Sequence, residues 1–329
     1  MIFINSKDKK IVDGILSHQK GLLSILKRRV TNCNDINIRS FLSEENLSML
    51  LTGNPNELIN LNNLFYQTIP TYSLNSYNKF IINIDIDKKN RTKAEKSNIT
   101  KYKKLHFIIE SIFNYETSFS KKERKYSTYD LANNLAINTC VYCNRMYTKT
   151  VINPNKLTRP EFDHWFPKSK YPLLALSFYN LIPSCHICNS SLKGASNLNL
   201  NDYFHPYIDD EKIINAEIKF SYYNKSLDTY GFEMKTSSSK GKNTIDAFKI
   251  KEIYETHEEE IADLRKIRDI YSESYLRNLS SLYKGIMSPE EVYRLAFGVY
   301  LEEAKFEKRP LSKMKKDILI ELGILKDEK

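Results

Sequence analysis

Four of the five cysteines in this chain fall into two CxxC pairs, Cys140/Cys143 and Cys185/Cys188. A CxxC turn sets two thiolates about 2.3 Å from one cation, so two such turns close a tetrahedral zinc site with no open position. The stretch between the pairs, residues 144–184, is longer than in a simple zinc ribbon, so a substantial element must lie there. It reads RPEFDHWFPKSKYPLLALSFYNLIPSC and continues as HICNSSLKG, with Asp163-His164, then Pro167, Lys168 and Ser169, then Asn180, and Asn189 directly after Cys188. His186 sits inside the second pair, where four sulfurs already fill the zinc shell, and is expected to be exposed and noncatalytic. Cys33, alone in NCNDIN, is expected to be a neutral thiol.

The DH, NL and CN elements, in that order over about residues 140–194, resemble the HNH (ββα-metal) endonuclease family, in the branch whose CxxC pairs bracket the site. LANNLAINTCVYCNRMYT before this core, SLKG and FHPY after it and RPLSKMKKDILIELG further on resemble long bacterial HNH proteins related to the nuclease subunits of Septu-type and retron-associated phage defence. The resemblance implies that Asn180 is a loop-fixing residue, bonded to backbone and orienting the base. It implies that Asn189 binds the catalytic metal in place of the second histidine of the family name. It further implies products with 5'-phosphate and 3'-hydroxyl ends and a partner ATPase, for which residues 1–125 and 245–329 are natural docking surfaces.

These residue types suit that chemistry. A hard cation such as Mg2+ or Mn2+ takes oxygen ligands and keeps several waters, so Asp163 and Asn189 suffice when a phosphate completes the shell. An imidazole is well placed to take a proton from water near neutral pH, the role assigned to His164. Neighbouring positions on a strand point to opposite faces, so Asp163 and His164 share a site only if the chain turns there, which WFPKS provides. The zinc would fix where Asn189 sits, because Cys188 is its covalent neighbour. Lys168, Lys170, Lys193 and Arg145 are candidate phosphate contacts, and His205 in YFHPY is a minor candidate for assisting metal or phosphate. The alternative is a zinc-stabilised nucleic-acid-binding or adaptor module that does not cut.

Composition fits a polyanionic partner: 50 Lys and Arg against 40 Asp and Glu give a formal charge of +10 and a pI near 9.1. Nucleic acid is expected, DNA before RNA, although no reader motif specifies a sequence. An odd cysteine count argues against a disulfide framework. No run of 18 apolar residues occurs, and the first residues lack the apolar core of a secretory signal, so a cytoplasmic protein without membrane contact is expected.

The positioning elements read as α+β and mainly helical, with a central zinc-stabilised ββα-metal module and a small β-hairpin. The boundaries are a helical region over 1–125, the module over 126–205, and a hairpin plus helices over 206–329. Apolar residues at helical spacing over 35–66 and 100–114 predict helices, whereas FIINIDI (80–86) reads as a strand. Eight basic residues follow between Lys88 and Lys104, a solvated face or a phosphate-contacting one. Residues 126–139 predict a helix with Leu131, Leu135 and Ala136 on one side. Alternation over 216–236 predicts the hairpin. Residues 245–282 predict a long amphipathic helix or helix pair, through Tyr271 and Tyr275, with His257 as a core histidine. Ser288-Pro-Glu-Glu291 is a capping box, and Ser312–Leu322 before Gly323 a further helix.

Overall fold

The helix α1 (Lys9–Thr31) buries Ile11, Gly14, His18, Leu22, Leu26 and Val30, a stripe repeating at about one turn. It is the longest helix described in this computed structural model, which describes residues 1–227, 229–270, 278, 281–283 and 285–325. After it come α2 (Ile36–Phe41), α3 (Glu44–Thr52), α4 (Pro55–Thr68), α5 (Leu74–Asn83), α6 (Lys93–Ile112) and α7 (Thr128–Leu135); α3, α6 and α7 pack on α1, while α4 packs on α3 and α5 on α4 and α6. Their starts are written locally. Asn54 and Glu57 close a capping box ahead of α4 with Pro55 in its first turn, Thr92 and Glu95 do the same for α6, and the Ser127 N–H and hydroxyl both donate to Asp130 at α7.

The strand expected at FIINIDI is instead the last turn of α5, up to Asn83, and the turn that follows it. Tyr77, Phe80 and Ile81 are its buried residues, at helical spacing, and the Tyr66 and Tyr77 rings stack 3.6 Å apart. The basic run from Lys93 to Lys104 belongs to α6. Helix α7 ends sooner than the pattern suggested. Ala136 takes a left-handed conformation (φ 50°) and is exposed, so it caps the helix rather than lining its buried side.

Two small antiparallel sheets interrupt the helices. Strand β1 (Glu161–His164) pairs with β2 (Leu181–Ser184), setting Asp163 opposite Ile182 and His164 opposite Leu181, and a π-helical turn (Ile187–Lys193) follows. After α8 (Glu211–Glu217), β3 (Lys219–Asn224) and β4 (Tyr230–Lys235) form the expected hairpin. The expected long helix is broken into α9 (Ser239–Ala247), α10 (Ile250–Tyr254) and α11 (Glu258–Ile270), with Lys249 in the left-handed region (φ 47°) at the first break. Tyr271 and Tyr275 lie outside the described residues. His257 is only half-buried, its Nδ1 3.0 Å from a Glu260 carboxylate oxygen, so it is not a core histidine. The capping box Ser288/Glu291 forms before the helix Pro289–Phe297, and the helix Ser312–Glu321 runs out into Gly323. One apolar core extends from Met1 to Leu322 through all these stretches, and no described helix is long and apolar enough to cross a membrane.

Candidate metal centre and catalytic recess

The Sγ atoms of Cys140, Cys143, Cys185 and Cys188 lie within 4.8 Å of one another, all buried. Sulfurs bound tetrahedrally to one zinc would stand about 3.8 Å apart, so this quartet fits the ion. Each pair sits in a tight turn: Asn144 N–H donates to the Cys140 carbonyl, Asn189 N–H to the Cys185 carbonyl, and Arg145 N–H points at Cys143 Sγ from 3.4 Å. Burial pushes the Cys140 thiol up, and a bound dication would offset the cost of gathering thiolates in a buried space. The first turn is tied to distant chain. The Tyr254 hydroxyl donates to the Cys143 carbonyl at 2.6 Å, and Asn144 (φ 51°) donates to the Phe306 carbonyl and accepts from the Lys313 N–H.

Beside this knuckle, a recess of about 580 Å³ is lined by Tyr115, Glu116, Arg159, Glu161, Asp163, His164, Lys168 and Asn189, among others. The strand β1 ends at His164, and the chain then turns through Pro167, so Asp163 and His164 both reach this recess. His164 Nε2 lies 3.0 Å from the Ala175 carbonyl. A carbonyl only accepts, so Nε2 carries the proton and Nδ1 keeps its lone pair. Burial is the largest cause of the drop in the His164 pKa to about 3, so the ring is neutral at physiological pH. The buried Asn180 side chain donates to the Phe166 and Leu174 carbonyls and accepts from the Phe166 N–H at 2.6 Å, spanning the loop that follows His164.

Asp163 is more enclosed than an open metal ligand. Tyr142 donates its hydroxyl to one carboxylate oxygen at 2.5 Å, and Lys193 Nζ stands 3.1 Å from the other while also bonding the His164 carbonyl. Burial raises the Asp163 pKa, against Lys193 and Tyr142, and burial also lowers that of Lys193. Asn189 donates its amide N–H to Glu161 at 2.7 Å, which leaves its oxygen free to accept.

Several expected contacts move elsewhere. Lys193 is buried in the Asp163 pair, and Lys170 is buried against Asp85 at 2.5 Å, so neither is placed to meet a phosphate. Arg145 turns its N–H to the four-cysteine cluster, while Lys168 does line the recess. His205 is fully buried with its ring 4.8 Å from that of Trp165 and does not line the recess; burial holds its pKa near 3. His186 is exposed, 2.9 Å from Glu161. The residue missed from sequence is Glu161, whose carboxylate meets Asn189, His186 and Ser190. The two-residue period of β1 was its signal, since it shares a strand face with Asp163.

The site is thus a four-cysteine cluster able to hold zinc, abutting an oxygen-rich recess that contains a neutral histidine. Over 116 residues the chain is 25% identical to the Septu protein PtuB of Bacillus thuringiensis, a stretch that is 35% of this chain and 38% of that protein. The chain therefore spans well under half the length of that relative. No protein-family model and no solved structure matches the chain.

Proposed function

We propose that this chain is a metal-dependent nuclease of the HNH kind, hydrolysing phosphodiester bonds of nucleic acid, DNA before RNA, in anti-phage defence. The observation that carries the reading is the fixed tautomer of His164: with Nε2–H committed to the Ala175 carbonyl, Nδ1 is left as the proton acceptor at the edge of the recess. A neutral ring is the form that accepts a proton, and the charge of an arriving phosphate would raise its affinity for one. In this reading Asn180 is the positioning residue that holds the loop after His164, and Cys140, Cys143, Cys185 and Cys188 hold zinc as a structural clamp. Glu161, Asn189 and the more enclosed Asp163 all line the recess and carry oxygen atoms of the type Mg2+ or Mn2+ prefers. Such a cation, when bound, would stabilise charge on the phosphate and the leaving oxygen. Lys168 contributes a cation at the rim. The sequence likeness to Septu-type proteins is the support for a defence role and for an ATPase partner on the helical arms. Co-expression yielding a solitary monomer of full activity would count against that partner.

The decisive experiment incubates the zinc-loaded protein with Mg2+ and plasmid, single-stranded DNA or tRNA, beside His164→Ala. Cleavage that falls at least ~100-fold in the variant, with its fold intact, is the expected result. Absence of Mg2+-dependent cutting by the wild type would leave the zinc-stabilised binding or adaptor module as the better reading.

A further inference from the structure

The exposed side of α6 forms one ridge, Lys96, Thr100, Lys103, Phe107 and Glu110, at alternating steps of four and three residues, and the half-buried Asn114 follows just past the helix end. At its far end, Glu110 and Asn114 border a hollow shared with Glu116, Lys168 and Ser169, and these three also line the catalytic recess. The ridge therefore opens into the recess, and from Lys96 to Glu110 it rises about 21 Å. Lys96, Lys103 and Lys104 are exposed and have no acidic partner among the described residues. Lys101 is different, because its ammonium donates to the Thr71 carbonyl and lies 5.0 Å over the Tyr72 ring.

Phe107 is 76% exposed, with Lys103 and Lys104 one turn before it around a shallow hollow. One exposed phenylalanine is ordinary, but an aromatic face rimmed by unpaired cations suits stacked bases and their phosphates together. A base must be unpaired to stack there, which separates a single strand from a duplex. Resting on the nuclease reading above, we infer that the α6 ridge is a track for a single-stranded segment of polynucleotide leading out of the recess.

The test measures binding of a fluorescent 20-nucleotide single-stranded DNA and of its duplex to the full chain, in a His164→Ala background, across a salt series. The variants are Lys96→Gln/Lys103→Gln/Lys104→Gln and Phe107→Ala, all at exposed positions. The triple variant should flatten the salt slope by ~2, at about 0.7 per lost phosphate contact. Phe107→Ala should weaken single-strand binding by roughly 5- to 100-fold and leave duplex binding unchanged. Variants that bind the single strand like the parent would overturn the track, as would a parent that binds no strand at low salt. So would a Phe107→Ala effect confined to self-association in sedimentation. The nuclease reading is tested apart, by Mg2+-dependent cleavage with the His164-containing chain. Cleavage without ridge dependence sinks the track alone, and ridge-dependent binding without cleavage sinks the nuclease reading alone.

Discussion

Replacing Lys193 by methionine keeps the length of the side chain and removes its charge. Lys193 and Asp163 have side-chain exposures of 0% and 3%, so solvent screens their interaction little. Without the ammonium, the carboxylate stays buried with no cation beside it, held by the Tyr142 hydroxyl and the His164 backbone N–H, and the His164 carbonyl loses its 2.7 Å donor. Breaking a buried pair from one side costs about 3–5 kcal/mol, most of it the penalty of the charge left behind. Lys193→Met should therefore lower stability by that amount in urea unfolding of the zinc-loaded protein. Adding Asp163→Asn removes the stranded charge, so the double variant should be at least about 2 kcal/mol more stable than the sum of the single losses predicts. A Lys193→Met loss below about 1 kcal/mol, or strict additivity, would refute the buried pair as the device that holds β1 to the turn after Cys188.

Asn180→Ala leaves the Phe166 N–H and the Phe166 carbonyl without their side-chain partner, at about 1–3 kcal/mol for each buried group left unpaired, and takes one of two donors from the Leu174 carbonyl, which keeps the Ser177 N–H. Urea unfolding should show a loss of about 2 kcal/mol or more; a value under 1 would contradict the loop-fixing geometry. Cys188→Ser should reduce zinc from one ion per chain to a small fraction by elemental analysis, and protease should then cut within residues 140–194; full zinc retention would refute the four-sulfur site. Burial lowers the His18 pKa from 6.5 to about 4. The stability linked to this neutral ring is present above pH 6.5 and lost as pH falls toward 4, by about 3 kcal/mol. His18→Gln should flatten that part of the stability profile, and an unchanged profile would count against it.

What was legible in the sequence was local. CxxC spacing binds two sulfurs to one turn, and Ser288 to Glu291 is a cap written within four residues, so both are legible from adjacent residues alone. The mainly helical character with small sheets followed from periodicity. Burial set by distant chain was not legible: Lys170 and Lys193 read as surface cations because lysine usually is one, and only the fold supplies Asp85 and Asp163 as partners. Glu161 is not singled out because the register of β1 on β2 decides which strand face meets the recess. The helix α1 gave a weak signal because Gly14 and His18 occupy its buried stripe; a Cβ at Gly14 would lie 3.4 Å from Phe178, so close packing took the place of an apolar side chain.

Asn144 makes the first sulfur turn dependent on chain made much later. Its amide bonds and its carbonyl are met by residues 306–313, including the Leu311 N–H at 2.7 Å. On the ribosome, the backbone around Cys140 and Cys143 thus lacks its permanent neighbours until residue 313 has emerged. If the four cysteines hold an ion, a nascent chain that captures it earlier would hold it in a looser turn, and a cut before residue 306 should loosen a grip made more than a hundred residues away.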